Sequence, residues 1–239
     1  MFGVLLLLLS VLCYLVHFLI FRDAHHIFIY LLGDIAFVFI EVLLVSLIIH
    51  RMLDDRERKQ RFKKLNMVIG VFFSELGTQL IREMVACDPS REELCRQMAV
   101  GNKGGEQLFS DTLRWLEEYP FRIDRIKVDW EEFKAFLSAK KEMMLRLLEN
   151  PNMLEHESFS ELLQATLHLI EELESRKTFS SLPDSDFGHL IIDIRRVYGL
   201  LAVQWMHYMK HLRKEYPYLF SLALRLNPFD ENASPIVAE

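Results

Sequence analysis

The chain has 239 residues, 51% of them hydrophobic, and a net charge of −6. Arg22 against Asp23, Asp34 and Glu41 leaves −2 before Arg51 and −4 on the rest, so the larger part lacks the basic footprint of a nucleic-acid binder. Three cysteines with no Cys-x-x-C argue against a disulfide framework or a zinc site.

Two apolar runs open the chain, Phe2–Phe21 and Ile27–Ile49, with only Arg22-Asp23-Ala24-His25-His26 between them. A bilayer core takes about twenty helical residues, so each run is long enough to cross and the gap is a turn. A cleaved signal peptide needs a basic start, an apolar core of about 7–15 residues and a small-x-small site. No Lys or Arg precedes the first run, and Phe21-Arg22-Asp23 offers no such site. The expectation is a retained transmembrane helical hairpin. The second run carries Asp34 and Glu41, seven residues apart and therefore on one helix face. An acid at mid-bilayer costs roughly 2.5–3.5 kcal/mol, while each Leu, Ile, Val or Phe returns only about 0.3–0.6. His17 in the first run is the expected partner of Asp34 across the hairpin. His17, Asp34 and Glu41 are read as a polar seam between the two helices, with a proton or ion path as the alternative.

Arg51, Arg56, Arg58, Lys59, Arg61, Lys63 and Lys64 follow the second run, whereas the turn has Arg22 alone. Positive-inside counting then puts both termini in the cytoplasm. Asp54, Asp55 and Glu57 interrupt the bases, which reads as a charged stalk over 51–64 rather than a lipid clamp.

The remainder, 65–228, reads as a bundle of helices followed by a flexible tail over 229–239. Leu65, Ile69, Phe72, Leu76, Leu80 and Met84 form a helical stripe within Leu65–Val85, and Phe72-Phe73 is expected to leave aromatic surface exposed. Gly70, Ser74 and Gly77 make a small-residue row. Asp88-Pro89 predicts a capped helix start. Gly101-Asn102-Lys103-Gly104-Gly105 lacks the Gly-Lys-Ser/Thr ending of a phosphate loop and is read as a linker before a helix ending near Tyr119. Phe121–Val128 is the one possible strand. Asp129-x-x-Glu132 predicts a capping box opening a helix to Glu149, stopped by Asn150-Pro151, and Ser158-x-x-Glu161 another ending near Ser175. The longest helix of this part spans about Asp186–Lys214, and Pro217 opens a last short one.

Within the long helix His189 and Asp193 are spaced i, i+4, as are His207 and His211. Metal sites in helical bundles add Glu-x-x-His pairs, and none occurs here, so these histidines are read as a solvated face. The core stripe is Ile191, Ile194, Tyr198, Leu201, Trp205, Met209 and Leu212. Neither Gly-x-Ser-x-Gly nor His-Glu-x-x-His is present.

Lys64–Gly77, following a span that contains Gly33-Asp34-Ile35-Ala36-Phe37, together with Val197–Leu201, Glu215–Arg225 and Asn227–Asp230, resembles a group of uncharacterised prokaryotic two-span membrane proteins. The resemblance implies a helical cytoplasmic domain and no assigned activity, so it transfers no functional residue. The chain is thus read as all-α, an N-terminal transmembrane hairpin over 1–50 followed by a cytoplasmic multi-helix bundle. Its expected function is that of a membrane-anchored interaction or regulatory module of the prokaryotic cytoplasmic membrane. A small oligomeric transporter using Asp34 and Glu41, and a membrane-bound enzyme with an unrecognised site, are the alternatives. No catalytic, cofactor-binding or metal residue is assigned. The expected partners are the lipid bilayer and either a second copy or another membrane protein, and not nucleic acid.

Overall fold

The computed structural model describes residues 2–99, 105–150 and 156–237, and every regular element among them is helical. They are α1 (Phe2–Phe21), α2 (Ala24–Phe72), a π turn (Phe73–Gly77), α3 (Thr78–Cys87), α4 (Arg91–Met98), α5 (Glu106–Glu118), a 3₁₀ turn (Arg125–Lys127), α6 (Trp130–Ser138), α7 (Lys141–Leu148), α8 (Glu157–Glu174), α9 (Asp184–Glu215) and α10 (Pro217–Arg225). The chain divides into two compact units, Met1–Gln60 and Arg61–Glu239, and the boundary falls inside α2.

In the first unit, Arg22 takes φ 50°, and its N–H donates to the Phe18 carbonyl at 2.8 Å. A left-handed residue of this kind closes a helix C-terminus and reverses the chain without an intervening loop. Only Arg22 and Asp23 then separate α1 from α2. Both apolar stretches, Gly3–Phe21 and Ile27–Glu57, are 0% buried.

The second unit is organised on α9, against which α3, α5, α8 and α10 pack, while α6 and α7 pack on α8. The predicted stripe is its core: Tyr198, Leu201, Trp205, Met209 and Leu212 are all buried. Asp184 and Asp186 in the first turn of α9 and Arg213 and Lys214 in the last complement its dipole. Pro217 stops it, because the residue before a proline is driven out of the helical region; Tyr216 sits at φ −139°, ψ 69°. The α8–α9 pair is antiparallel: Gln204 Nε2 donates to Ser158 Oγ at 2.7 Å near one end, and His168 lies 3.7 Å from Asp193 nearer the other.

Several local expectations shift. The helix predicted over Leu65–Val85 is interrupted by the π turn, whose extra residue rotates the stripe so that both Phe72 and Phe73 turn inward, at 0% and 2% exposure. The expected exposed aromatic pair is therefore core. In the small-residue row, a Cβ at Gly77 would lie 2.6 Å from the Phe73 ring, and one at Gly70 3.2 Å from the Tyr208 hydroxyl. Asp88-Pro89 does not start a helix; Asp88 closes a turn by accepting from Ser90 N at 2.8 Å, and α4 begins at Arg91. Asp129 caps α6 as predicted, accepting from Glu132 N at 3.0 Å, but the helix breaks at Ala139-Lys140 into α6 and α7. α8 is capped by His156, whose Nδ1 accepts from Phe159 N at 3.3 Å, and Ser158 lies inside the helix. Phe121–Val128 is extended chain and 3₁₀ turn, and the described residues contain no strand. Phe229, expected in the tail, is 2% exposed, and Asn227 Nδ2 donates to the Met98 carbonyl at 3.2 Å. Residues 101–104 of the glycine-rich linker, and Pro151, lie outside the described residues.

Candidate functional site

In the first unit, the seam between α1 and the start of α2 is built from Ser10, Cys13, Tyr14 and His17 facing Ile27 and Tyr30 around a 400 Å³ groove. Spacing by three and four residues puts the α1 members on one face. His17 is half-buried, and its ring lies 4.8 Å from that of Phe21. Asp34 and Glu41 do not join this seam. Both are exposed, and neither makes an ion pair among the described residues. Tyr30 and not Asp34 lines the groove beside His17; Asp34 and Glu41 follow Ile27 on α2 by seven and fourteen residues and therefore share its face.

In the second unit, polar side chains gather in two places. Asp88 is fully buried, and Tyr119 donates to it at 3.4 Å and to the Ser90 carbonyl at 3.3 Å. Burial pushes the Asp88 carboxyl up from its ordinary value of 3.8, and burial beside this carboxylate also raises the Tyr119 and Tyr198 hydroxyls. A carboxyl whose pKa is raised by folding contributes its full stability below the ordinary value and loses it as the pH rises through the folded one. Asp88→Asn, which cannot titrate, is therefore expected to gain stability relative to the parent between pH 4 and pH 7. Thermal unfolding across that range checks it; a difference that is flat with pH would refute the assignment. Beside this turn a 260 Å³ cavity is lined by Glu83, Cys87, Lys127, Glu132 and Phe133 among others. Burial pushes the Cys87 and Cys95 thiols up, which makes them weak nucleophiles at neutral pH.

The second gathering spans the α8–α9 pair. Asp193 is 3% exposed. Its Oδ2 lies 3.5 Å from His189 Nε2 and 3.7 Å from His168 Nε2, and its Oδ1 accepts from Arg196 at 3.2 Å. Glu172 closes the ring, 4.0 Å from His168 Nε2 and 3.7 Å from His189 Nε2. Arg176 donates to Glu172 Oε2 at 2.7 Å and grips Asp186 with two nitrogens at 2.6 and 2.8 Å. The Arg176 guanidinium holds the Glu172 and Asp186 carboxyls below their usual range. Asp193 thus departs from the solvated face predicted for it. The signal was present in the sequence as two i, i+4 pairs on consecutive helices, His168/Glu172 and His189/Asp193, of which only the second stood out. His207 does lie exposed, while His211 is half-buried, its ring 5.7 Å from that of Tyr216. As the side chains stand, no group of three or more His, Cys, Asp or Glu among the described residues is set to hold a metal ion.

Comparison with known proteins covers nearly the whole chain. Residues 1–53 match the family model described as the MJ1433 N-terminal helical domain, and residues 61–225 match the one described as uncharacterized protein MJ1433, C-terminal helical domain. The Methanocaldococcus jannaschii protein named "Uncharacterized protein MJ1433" is 46% identical over 237 residues, covering 99% of this chain and 95% of that protein. No solved structure matches.

Proposed function

Because the chain belongs to the MJ1433 family, which has an N-terminal and a C-terminal helical domain and carries no assigned activity, we propose its function from the physics of its own residues. It is a membrane-anchored helical module: the hairpin over 1–50 sits in the cytoplasmic membrane of a prokaryote, and the helical unit from Arg61 works in the cytoplasm on a membrane or membrane-protein partner. The observation that carries this reading is that neither apolar stretch is covered, 0% of each being buried at mean hydropathy 2.8 and 2.5. A core helix of a water-soluble protein would be covered by the rest of the chain. These are not, and leaving that apolar area in water costs about 25 cal/mol per Å².

Asp34 and Glu41 support the interaction part of the reading. Both are exposed and make no ion pair among the described residues, and carboxylates at this depth are costly in lipid unless they meet a polar partner. A second copy of the hairpin, or another membrane protein, supplies one.

A topology experiment tests the anchor and its orientation together. A reporter fused after Glu239 is expected to behave as cytoplasmic and one inserted at Ala24 as external, because the basic residues after position 50 outnumber the single Arg22 of the turn. The reverse pattern would overturn the orientation, and both reporters in the soluble fraction would overturn the anchor.

A further inference from the structure

We propose that α10 is an interfacial helix, whose outer face of Tyr218, Leu219 and Leu222 seats among the headgroups of the same anionic bilayer that holds the hairpin. This seating rests on the membrane reading above and adds a second contact between the chain and the lipid.

The sequence of α10, Pro217-Tyr-Leu-Phe-Ser-Leu-Ala-Leu-Arg225, has no charged residue before Arg225 and one polar side chain, Ser221. A helix this apolar all round is normally enclosed. Phe220 is, at 5% exposure, but Tyr218, Leu219 and Leu222 stand 71%, 39% and 41% exposed. Leu222 follows Tyr218 by four residues and Leu219 by three, so it lies between them around the helix axis. The three form one patch, unlike the scattered hydrophobes that need no explanation on a protein surface.

The charge around the patch suits an anionic surface. Lys210 is matched by Glu106 at 3.4 Å. Arg213 and Lys214 in the last turn of α9, with Arg225 closing α10, then face Glu215 alone, three positive charges against one negative in a chain whose net charge is −6. Lys214 is exposed, and Arg225 is half-buried three residues on from Leu222. Tyrosine rings settle at headgroup level, and basic side chains meet the negative potential of the cytoplasmic leaflet.

Placement within the second unit agrees. The Tyr208 hydroxyl lies 3.2 Å from where a Cβ at Gly70 would stand, and Met84 and Ile194 line one cavity. Residues 70–84 therefore run antiparallel to α9, and the last turn of α9 lies at the end of this unit where the chain enters it, at Arg61. Pro217 starts α10 at that end, with Tyr218 and Leu219 in its first turn. Three side chains do not hold a protein on lipid by themselves, since even a whole myristoyl chain gives only marginal, reversible binding. Attachment through α2 makes this second contact intramolecular and raises its effective concentration. α10 thus holds the second unit against the bilayer while the hairpin is in place, and a chain starting at Arg61 still leaves the membrane.

The test reconstitutes the full chain in vesicles of phosphatidylcholine and phosphatidylglycerol. A polarity-sensitive fluorophore is attached at Ser221→Cys, or for comparison at Ile192→Cys on α9, in a background of Cys13→Ala, Cys87→Ala and Cys95→Ala; Ser221 and Ile192 are both exposed. Brominated lipid should quench position 221 at least about threefold more than position 192, and the excess should shrink without phosphatidylglycerol or at high salt. Leu219→Glu with Leu222→Glu should abolish it, with circular dichroism checking that helix content is kept. The unaltered chain gives a second readout: amide exchange over 218–226 should slow by at least about threefold when phosphatidylglycerol is added to phosphatidylcholine, while 106–118 stays unchanged. A chain that floats with the vesicles while position 221 is quenched no more than position 192, or whose exchange over 218–226 ignores the lipid, would overturn the seating of α10 and leave the anchor standing. A chain that does not float would overturn the anchor, and the seating with it. Shielding of position 221 that appears only when membrane proteins are added would overturn the lipid assignment and give the patch to a protein.

Discussion

A chain starting at Arg61 is expected to leave the membrane fraction and appear in the supernatant as a folded helical protein. The removed part contains both stretches long enough to cross a bilayer, Gly3–Phe21 and Ile27–Glu57. What remains exposes large apolar side chains mostly singly, such as Met67, Val71, Leu108, Ile126 and Ile192, and isolated surface hydrophobes are normal in soluble proteins. Its core is its own: Phe72, Leu80, Phe159, Leu201 and Tyr198 are all fully buried within the second unit. The full chain, in contrast, should stay in the pellet through an alkaline wash. A truncated chain that stays with washed membranes would place the anchor elsewhere, and a far-ultraviolet spectrum dominated by strand or coil would show that the unit does not fold without the hairpin.

The parts of the fold legible in the sequence are those set by near neighbours along the chain. Length and apolarity defined α1 and the apolar part of α2; Asp129 defined the start of α6; Pro217 defined the end of α9 and the start of α10. Each depends on residues within a few positions of one another. The misplaced features depend on residues far apart. No Gly or Pro marks the break at Ala139-Lys140, and α6 and α7 instead each follow the surface of α8. His156 is an uncommon cap, and Ser158 looked like the better one, but Ser158 is engaged by Gln204 from α9. The π turn is invisible to a fixed helical period because it changes the phase of that period midway.

The candidate site follows the same division. One i, i+4 pair on α9 was visible, but the burial of Asp193 depended on His168 and Glu172 arriving from α8, a pairing no local pattern encodes. In the hairpin, the shared face of Asp34 and Glu41 was legible from their spacing. That Tyr30 rather than Asp34 meets the groove beside His17 was not, because it depends on where α1 and α2 come together after the turn.

Phe73→Ala is expected to cost about 3–5 kcal/mol, the usual range for emptying a buried aromatic site. The residue opens the π turn and is 2% exposed. Its ring stacks on Tyr208 at 5.2 Å between centroids, meets Trp205 edge-on at 5.2 Å, and meets Phe72 at 5.3 Å. Two of those partners belong to α9, so the ring joins the π turn to the central helix. Offset and edge-to-face pairs of this kind add about 0.5–1.5 kcal/mol beyond the area they bury. Domains are stable by only about 5–15 kcal/mol, so the variant should lose a large share of the margin. Phe73→Leu keeps most of the volume and should cost less than about half as much. Denaturant unfolding of parent and both variants, followed by the helical signal, measures the two differences. The neighbouring Val71, exposed at 52%, supplies the contrast: Val71→Ala should change stability by no more than about 0.5 kcal/mol. Equal losses at Val71 and Phe73 would mean that the chain runs on as a regular helix through 73–77, with Phe73 rolled out of the core.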